Sequence, residues 1–185
     1  MFVLQPAQYR VLSRLLIGSD LENTAHDILQ VNSADISSQL KSSLRAFIIS
    51  DIANMNATLL LAASMFSSPP GPRPHPIDIL QLKGMAINAI NEALHDPSRS
   101  NSDSVISAVA AMAQYEAFWG DIDAFAFHMN ALANLVHVRG GLAQLGLDGL
   151  LQAMLLHTDH QTARAVDRRP VFEPAYSSRA VVQRC

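Results

Sequence analysis

The chain has 185 residues, 49% hydrophobic and 16% charged, with a net charge of −3 and one cysteine, the terminal Cys185. A charged share well below the usual ~25% leaves apolar surface for a partner. The slight acidity excludes a chain-wide nucleic-acid surface. A lone cysteine excludes an internal disulfide and any zinc site built from cysteines of this chain.

Ala, Leu, Met and Ile dominate and the alternating Val/Thr/Tyr of strands is missing, so the composition selects helices. The opening MFVLQPAQYR lacks the basic-then-apolar layout of a secretory leader. The longest apolar run, residues 57–66, falls short of the about 20 residues that a membrane span requires. The expectation is a soluble intracellular protein without membrane contact.

In chain order, residues 8–17 set Leu12, Leu15 and Leu16 on one helical side before Gly18, and residues 21–29 repeat the pattern more weakly. The polar residues 32–35 offer caps for a helix from Ile36, whose Leu40, Leu44, Phe47 and Ile48 share one face. Asp51 is placed to cap a further, mostly apolar helix ending near Phe66. Residues 67–76, SSPPGPRPHP, contain five prolines and cannot continue a helix. They read as a connecting loop rather than a ligand for a proline-binding module.

Residues 77–94 carry a stripe of Leu82, Met85, Ala86, Ala89, Ile90 and Ala93, stopped by Asp96-Pro97. Asn101-Ser102-Asp103 caps the next helix, residues 104–119, which is apolar nearly all round with Gln114 and Glu116 as its main polar members. Such a helix belongs at the centre of a bundle. Gly120 ends it and Asp121 caps residues 122–138, where Phe125, Met129, Leu132, Leu135 and Val136 form the core face. Arg139 suits the carbonyl end of that helix dipole, Gly140 the positive φ of a helix stop, and Asp148 the cap of the helix that follows.

Together these elements predict an all-α bundle of about six to eight helices with no sheet. One domain spans residues 1–167, its loop 67–76 separating an N-terminal helical part from the main helices 77–167. Residues 168–185 form an extended arginine-containing tail.

Chemistry is scarce. His157 and His160 flank Asp159 at a helical i, i+3 spacing that suits a metal. No H-E-x-x-H pattern surrounds them, and surface or satisfied histidines are the better reading. His128 reads as a core-edge histidine hydrogen-bonded to a neighbouring helix end. There is no G-x-S-x-G elbow and no cysteine in a loop. Gly140, Gly141, Gly146 and Gly149 follow no strand and precede no Lys-Ser/Thr pair, so a phosphate loop is excluded. No catalytic residue, cofactor or metal ligand is predicted, and the chain is read as a non-enzyme. Met112, Met129, Met154 and Phe125 are candidates for lining a small-molecule effector pocket, although methionine at helical spacing is more often core filler.

Several short motifs recur in a telling order: Lys83-Gly84, Trp119-Gly120-Asp121, then His128, Met129, Leu135 and Val136, then Arg139-Gly140-Gly141-Leu142. Leu145-Gly146, Gly149-Leu150, Asp159 and Arg169-Pro170-Val171-Phe172 complete the series. Over residues 82–174 the chain resembles the fungal-specific transcription factor domain. That is the helical regulatory region downstream of a binuclear zinc-cluster DNA-binding module in many fungal regulators. More loosely, the likeness takes in the helix after Ser50-Asp51. Trp119, Gly120, Asp121, His128, Arg139, Gly140, Gly141, Gly146 and Asp159 are the family-motif positions.

His157 departs from the family's tryptophan there, and the six clustered cysteines of the zinc module are absent from this chain. The resemblance implies transcription regulation in the nucleus through protein partners, either a second copy or a complete zinc-cluster factor. It implies no direct nucleic-acid contact by this chain. An effector-sensing domain is the alternative, and a metal enzyme using His157, Asp159 and His160 comes last.

Overall fold

The computed structural model describes residues 34–65 and 76–172. The helices expected over 8–17 and 21–29, nearly all of the proline-rich loop, and the tail after Phe172 lie outside these residues. Six α-helices, and no strand, occur among them: α1 Ala34–Ser50, α2 Ile52–Met65, α3 Pro76–His95, α4 Asp103–Trp119, α5 Ile122–Val138 and α6 Leu150–Ala165. Two single-turn 3-10 segments, Leu142–Gln144 and Leu147–Gly149, link α5 to α6.

Helix α4 is the axis of the bundle and packs against α2, α3, α5 and α6. Its burial is nearly all-round, taking in Val105, Ile106, Ala108, Val109, Ala110, Met112, Ala113, Tyr115 and Glu116. The alanines thin the helix so that four neighbours approach closely. Helix α2 is the second inner element, with Ala53, Ala57, Leu59 and Leu60 fully buried. The α3 stripe is buried as its spacing requires, Met85 being half-buried at its edge. In α5, Phe125, Met129, Leu132 and Val136 turn inward.

Between α1 and α2 the chain bends by 113°. Asp51 holds the corner: its Oδ1 accepts the Ala53 N–H (2.8 Å) and the Asn54 N–H (3.3 Å), capping α2. Its Oδ2 takes Arg99 Nη2 at 2.7 Å, which ties the corner to the loop after α3. In that loop Asp96 accepts the Ser98 hydroxyl (2.7 Å) and N–H (2.9 Å). These bonds hold its carboxyl below the ordinary carboxylate value, the hydroxyl contributing most. No single helix among the described residues is long and apolar enough to cross a membrane.

One local expectation fails. Asp148 does not cap α6; it sits in the second 3-10 turn with φ 51° and ψ 38°. Helix α6 starts at Leu150 from Gly149, φ 85°, without a side-chain cap. Successive left-handed residues at 147–149 turn the Asp148 side chain away from the helix N–H groups. Arg139, expected at the carbonyl end of the α5 dipole, has its side-chain partners at the start of α4.

Candidate functional site: carboxylates at the helix junctions

The family-motif residues gather at three places where one segment is locked to another. The first is the α4–α5 corner. Glu116, the lone acid in the second half of an otherwise apolar helix, has a side chain 1% exposed. Its Oε1 lies 2.7 Å from Lys83 Nζ on α3, a charge contact rather than a well-directed hydrogen bond. Its Oε2 accepts the Asp121 N–H at 3.0 Å. Lys83 Nζ also stands 5.3 Å from the centroid of the Tyr115 ring.

Gly120 makes this possible. A Cβ there would collide with the Glu116 carboxylate and come within 2.8 Å of the Glu116 Cα. The chain then turns, and Asp121 Oδ1 caps α5 by accepting the Asp123 N–H (2.8 Å) and Ala124 N–H (3.0 Å). The Trp-Gly-Asp step is thus a corner built over a buried carboxylate. Trp119 itself is half out of the fold, its ring 5.5 Å from that of Phe118.

His128, two turns into α5, feels the charges of Glu116 and Lys83. Its imidazole meets the Phe127 ring edge-on at 5.7 Å. Desolvation by burial lowers its pKa from 6.5, Glu116 opposing the shift and Lys83 adding to it. The expected hydrogen bond to a helix end is not among its contacts.

The second junction joins the end of α5 to the start of α4. Helix α5 stops in a Schellman arrangement: the Gly141 N–H donates to Val136 O (2.8 Å) and the Gly140 N–H to His137 O (3.0 Å), with φ at 96° and 101° for the two glycines. Arg139 does not serve its own helix terminus. Its guanidinium donates to Asn101 O (2.9 Å) and Asp103 Oδ1 (3.1 Å), because the stop points it at the start of α4. Asp103 Oδ2 in turn accepts the Gly146 N–H at 3.2 Å. A Cβ at Gly146 would strike that carboxylate. With its amide set to satisfy both groups, Asn101 donates to Leu135 O (3.1 Å) and accepts the Arg139 N–H (3.3 Å).

The third junction is Asp159, 2% exposed. Its two oxygens accept the N–H groups of Val171 (3.0 Å) and Phe172 (2.8 Å). The segment after α6 therefore folds back, and Phe172 packs on the core. Both carboxylate oxygens are engaged by backbone, while His160 is exposed and His157 half-buried. Among the described residues, no three His, Cys, Asp or Glu side chains gather closely enough to hold a metal ion. The candidate effector-pocket residues Phe125, Met112 and Met129 are buried in the main core, and Met154 packs on the smaller cluster of Leu44, Ile48 and Leu150.

A family model, the fungal specific transcription factor domain, matches residues 21–165. The chain belongs to this family. No curated protein and no solved structure matched it. As a fungal specific transcription factor domain, the chain has a regulatory role in transcription, and the family is not one of enzymes.

Sequence reasoning missed three partners in these junctions: Glu116, Asp103 and Asn101. Glu116 carried a usable signal, since an ionised group inside an all-round apolar helix demands a counter-charge. Asp103 looked like an ordinary first-turn acid, and nothing local distinguishes it.

Proposed function

We propose that this domain regulates transcription in the nucleus by binding other proteins, its partners being a second copy or a complete zinc-cluster factor, and that it makes no direct nucleic-acid contact through this chain. The supporting observation is the use of its buried acids. Glu116 and Asp159 are spent on holding helices and backbone, so they are not available to a substrate. Meanwhile Leu80, Phe118, Trp119, Ile122, Phe127 and Val138 remain exposed, the kind of side chain that anchors protein interfaces.

The test is a reporter assay in a fungal cell. Fused to a heterologous DNA-binding module, the domain should change reporter output relative to the module alone. Phe127→Glu and Trp119→Glu should reduce that change without lowering the melting temperature. Output equal to that of the module alone would end the proposal.

A further inference from the structure

Helix α1 is held by an apolar cluster of its own. Its Leu44 and Ile48 are buried against Leu150 at the start of α6, with Phe47, Leu147 and Met154 half-buried around them. The large core draws on α2 to α6 and on the α5–α6 link, and takes in no described residue of α1. Apart from the small cluster, α1 packs chiefly on α2.

The corner between α1 and α2 is fastened on one side. Asp51 belongs to α2, which it caps, and to Arg99 beyond it. Across the corner Asn54 Nδ2 donates to Phe47 O at a long 3.4 Å, and that oxygen already accepts the Ser50 hydroxyl at 2.8 Å. Asn54 is fully buried, and its Oδ1 accepts no hydrogen bond. An orphan oxygen of this kind raises the free energy of the docked state, and water satisfies it once α1 moves away.

We propose that α1 is a hinged arm: it swings out at Ser50, and the groove it leaves, lined by Leu147, Leu150 and Met154, takes an apolar helix of a partner in its place. The chemistry of that partner is set by the helix already seated there. Leu44, Phe47 and Ile48 stand at i, i+3 and i+4, the spacing of a helix anchored in an apolar groove. The groove keeps its shape without α1, because Leu147 packs on the large core as well as the small one. Leu151, next to Leu150, is fully buried in the large core. Leu147 also holds φ at 60°, a strained conformation that persists only where the surrounding structure imposes it. The inference goes beyond the transcriptional reading, since the groove uses neither Trp119 nor Phe127 and its test needs no DNA.

Hydrogen exchange of the natural full chain is the first test. The amides of residues 44–50 should exchange together, roughly a hundredfold or more faster than those of α4. Asn54→Leu removes the orphan oxygen and should slow them about tenfold. The second test is fluorescence anisotropy with a labelled peptide of residues 34–50, the sequence of α1. The docked arm competes with it in the natural chain, so Ile48→Asp, which frees the groove, should tighten binding about tenfold or more. Adding Leu150→Asp should abolish binding while α4 stays protected.

Four results would overturn the proposal. One is exchange of the α1 amides no faster than those of α4. Another is peptide binding no tighter to Ile48→Asp than to the natural chain, and a third is binding that survives Leu150→Asp. The last is an Ile48→Asp chain whose α4 amides are unprotected, which would mean that α1 cannot leave without unfolding the rest.

Discussion

The two ends of the α4–α5 pair are closed by the same three parts at very different depths. At one end a carboxylate, Glu116, meets a lysine, accepts a backbone N–H and sits under a glycine, Gly120. At the other, Asp103 meets an arginine, accepts a backbone N–H and sits under Gly146. Glu116 is 1% exposed and Asp103 22%. The parallel shows that burial, rather than the hydrogen-bond inventory, decides what each junction is worth: water can replace a lost partner at Asp103 but not at Glu116.

The largest expected effect is Lys83→Met. It strands a buried carboxylate and should cost about 3–5 kcal/mol, lowering the melting temperature by roughly 10 °C or more for a chain of this size. Arg139→Met should cost about 1–2 kcal/mol, because Asp103 keeps solvent and the Gly146 N–H. Urea denaturation of the two variants checks the contrast, and equal losses would break it.

The glycines sharpen the same comparison. Gly120→Ala meets the Glu116 backbone as well as its carboxylate and should cost about 2–4 kcal/mol. Gly146→Ala meets only the Asp103 side chain, which can swing into water, and should cost about 1 kcal/mol. A double-mutant cycle separates the two parts of the Gly120 clash. In a Glu116→Ala background the Gly120→Ala penalty should shrink without vanishing, since the backbone contact remains. Next in size is Asp159→Asn. An amide can satisfy only one of the two N–H groups, so about 1–2 kcal/mol should go, with faster hydrogen exchange at the Val171 and Phe172 amides. Unchanged protection at both would show that Asp159 does not hold the segment.

Helix positions were readable in the sequence because burial follows period: Leu82, Ala86, Ala89, Ile90 and Ala93 could face only one way. The stops were readable too, Gly140 because positive φ is local chemistry and Asp121 because a cap bonds residues two and three positions on. What the sequence hid are the contacts spanning long separations. Arg139 reaches Asp103, 36 residues earlier, and Gly146 reaches it across 43. No spacing rule links such residues, so the place of Arg139 at the end of its own helix is legible while its partners are not. Asp159 shows the same gap at shorter range. Its helical neighbours His157 and His160 suggested a metal, whereas its oxygens turn to a segment beyond the helix end. The motifs that carry the family resemblance mark these junctions, and their chemistry becomes intelligible only once the helices are assembled.

The smallest effect is also the most specific, because it reads the buried junction through a neighbour. Burial lowers the folded pKa of His128 from 6.5, so between that lowered value and 6.5 the unfolded chain binds more protons than the folded one. Stability contributed by neutral His128 is therefore complete above about pH 6.5, falls as the pH drops from there, and levels off once the pH passes below the folded value. His128→Gln removes the titration. Measured by urea unfolding between about pH 8 and pH 5.5, the stability difference between the natural chain and the variant should shrink on acidification. Arg139→Met, at the more exposed end, should leave the His128 component of the profile unchanged, whereas Lys83→Met should make it shallower, burial remaining the main cause of the lowering. Lys83 adds to the lowering, and without it Glu116 would draw the imidazole back toward its ordinary value. Parallel profiles for the natural chain and His128→Gln would mean that burial does not lower the imidazole pKa in the folded chain.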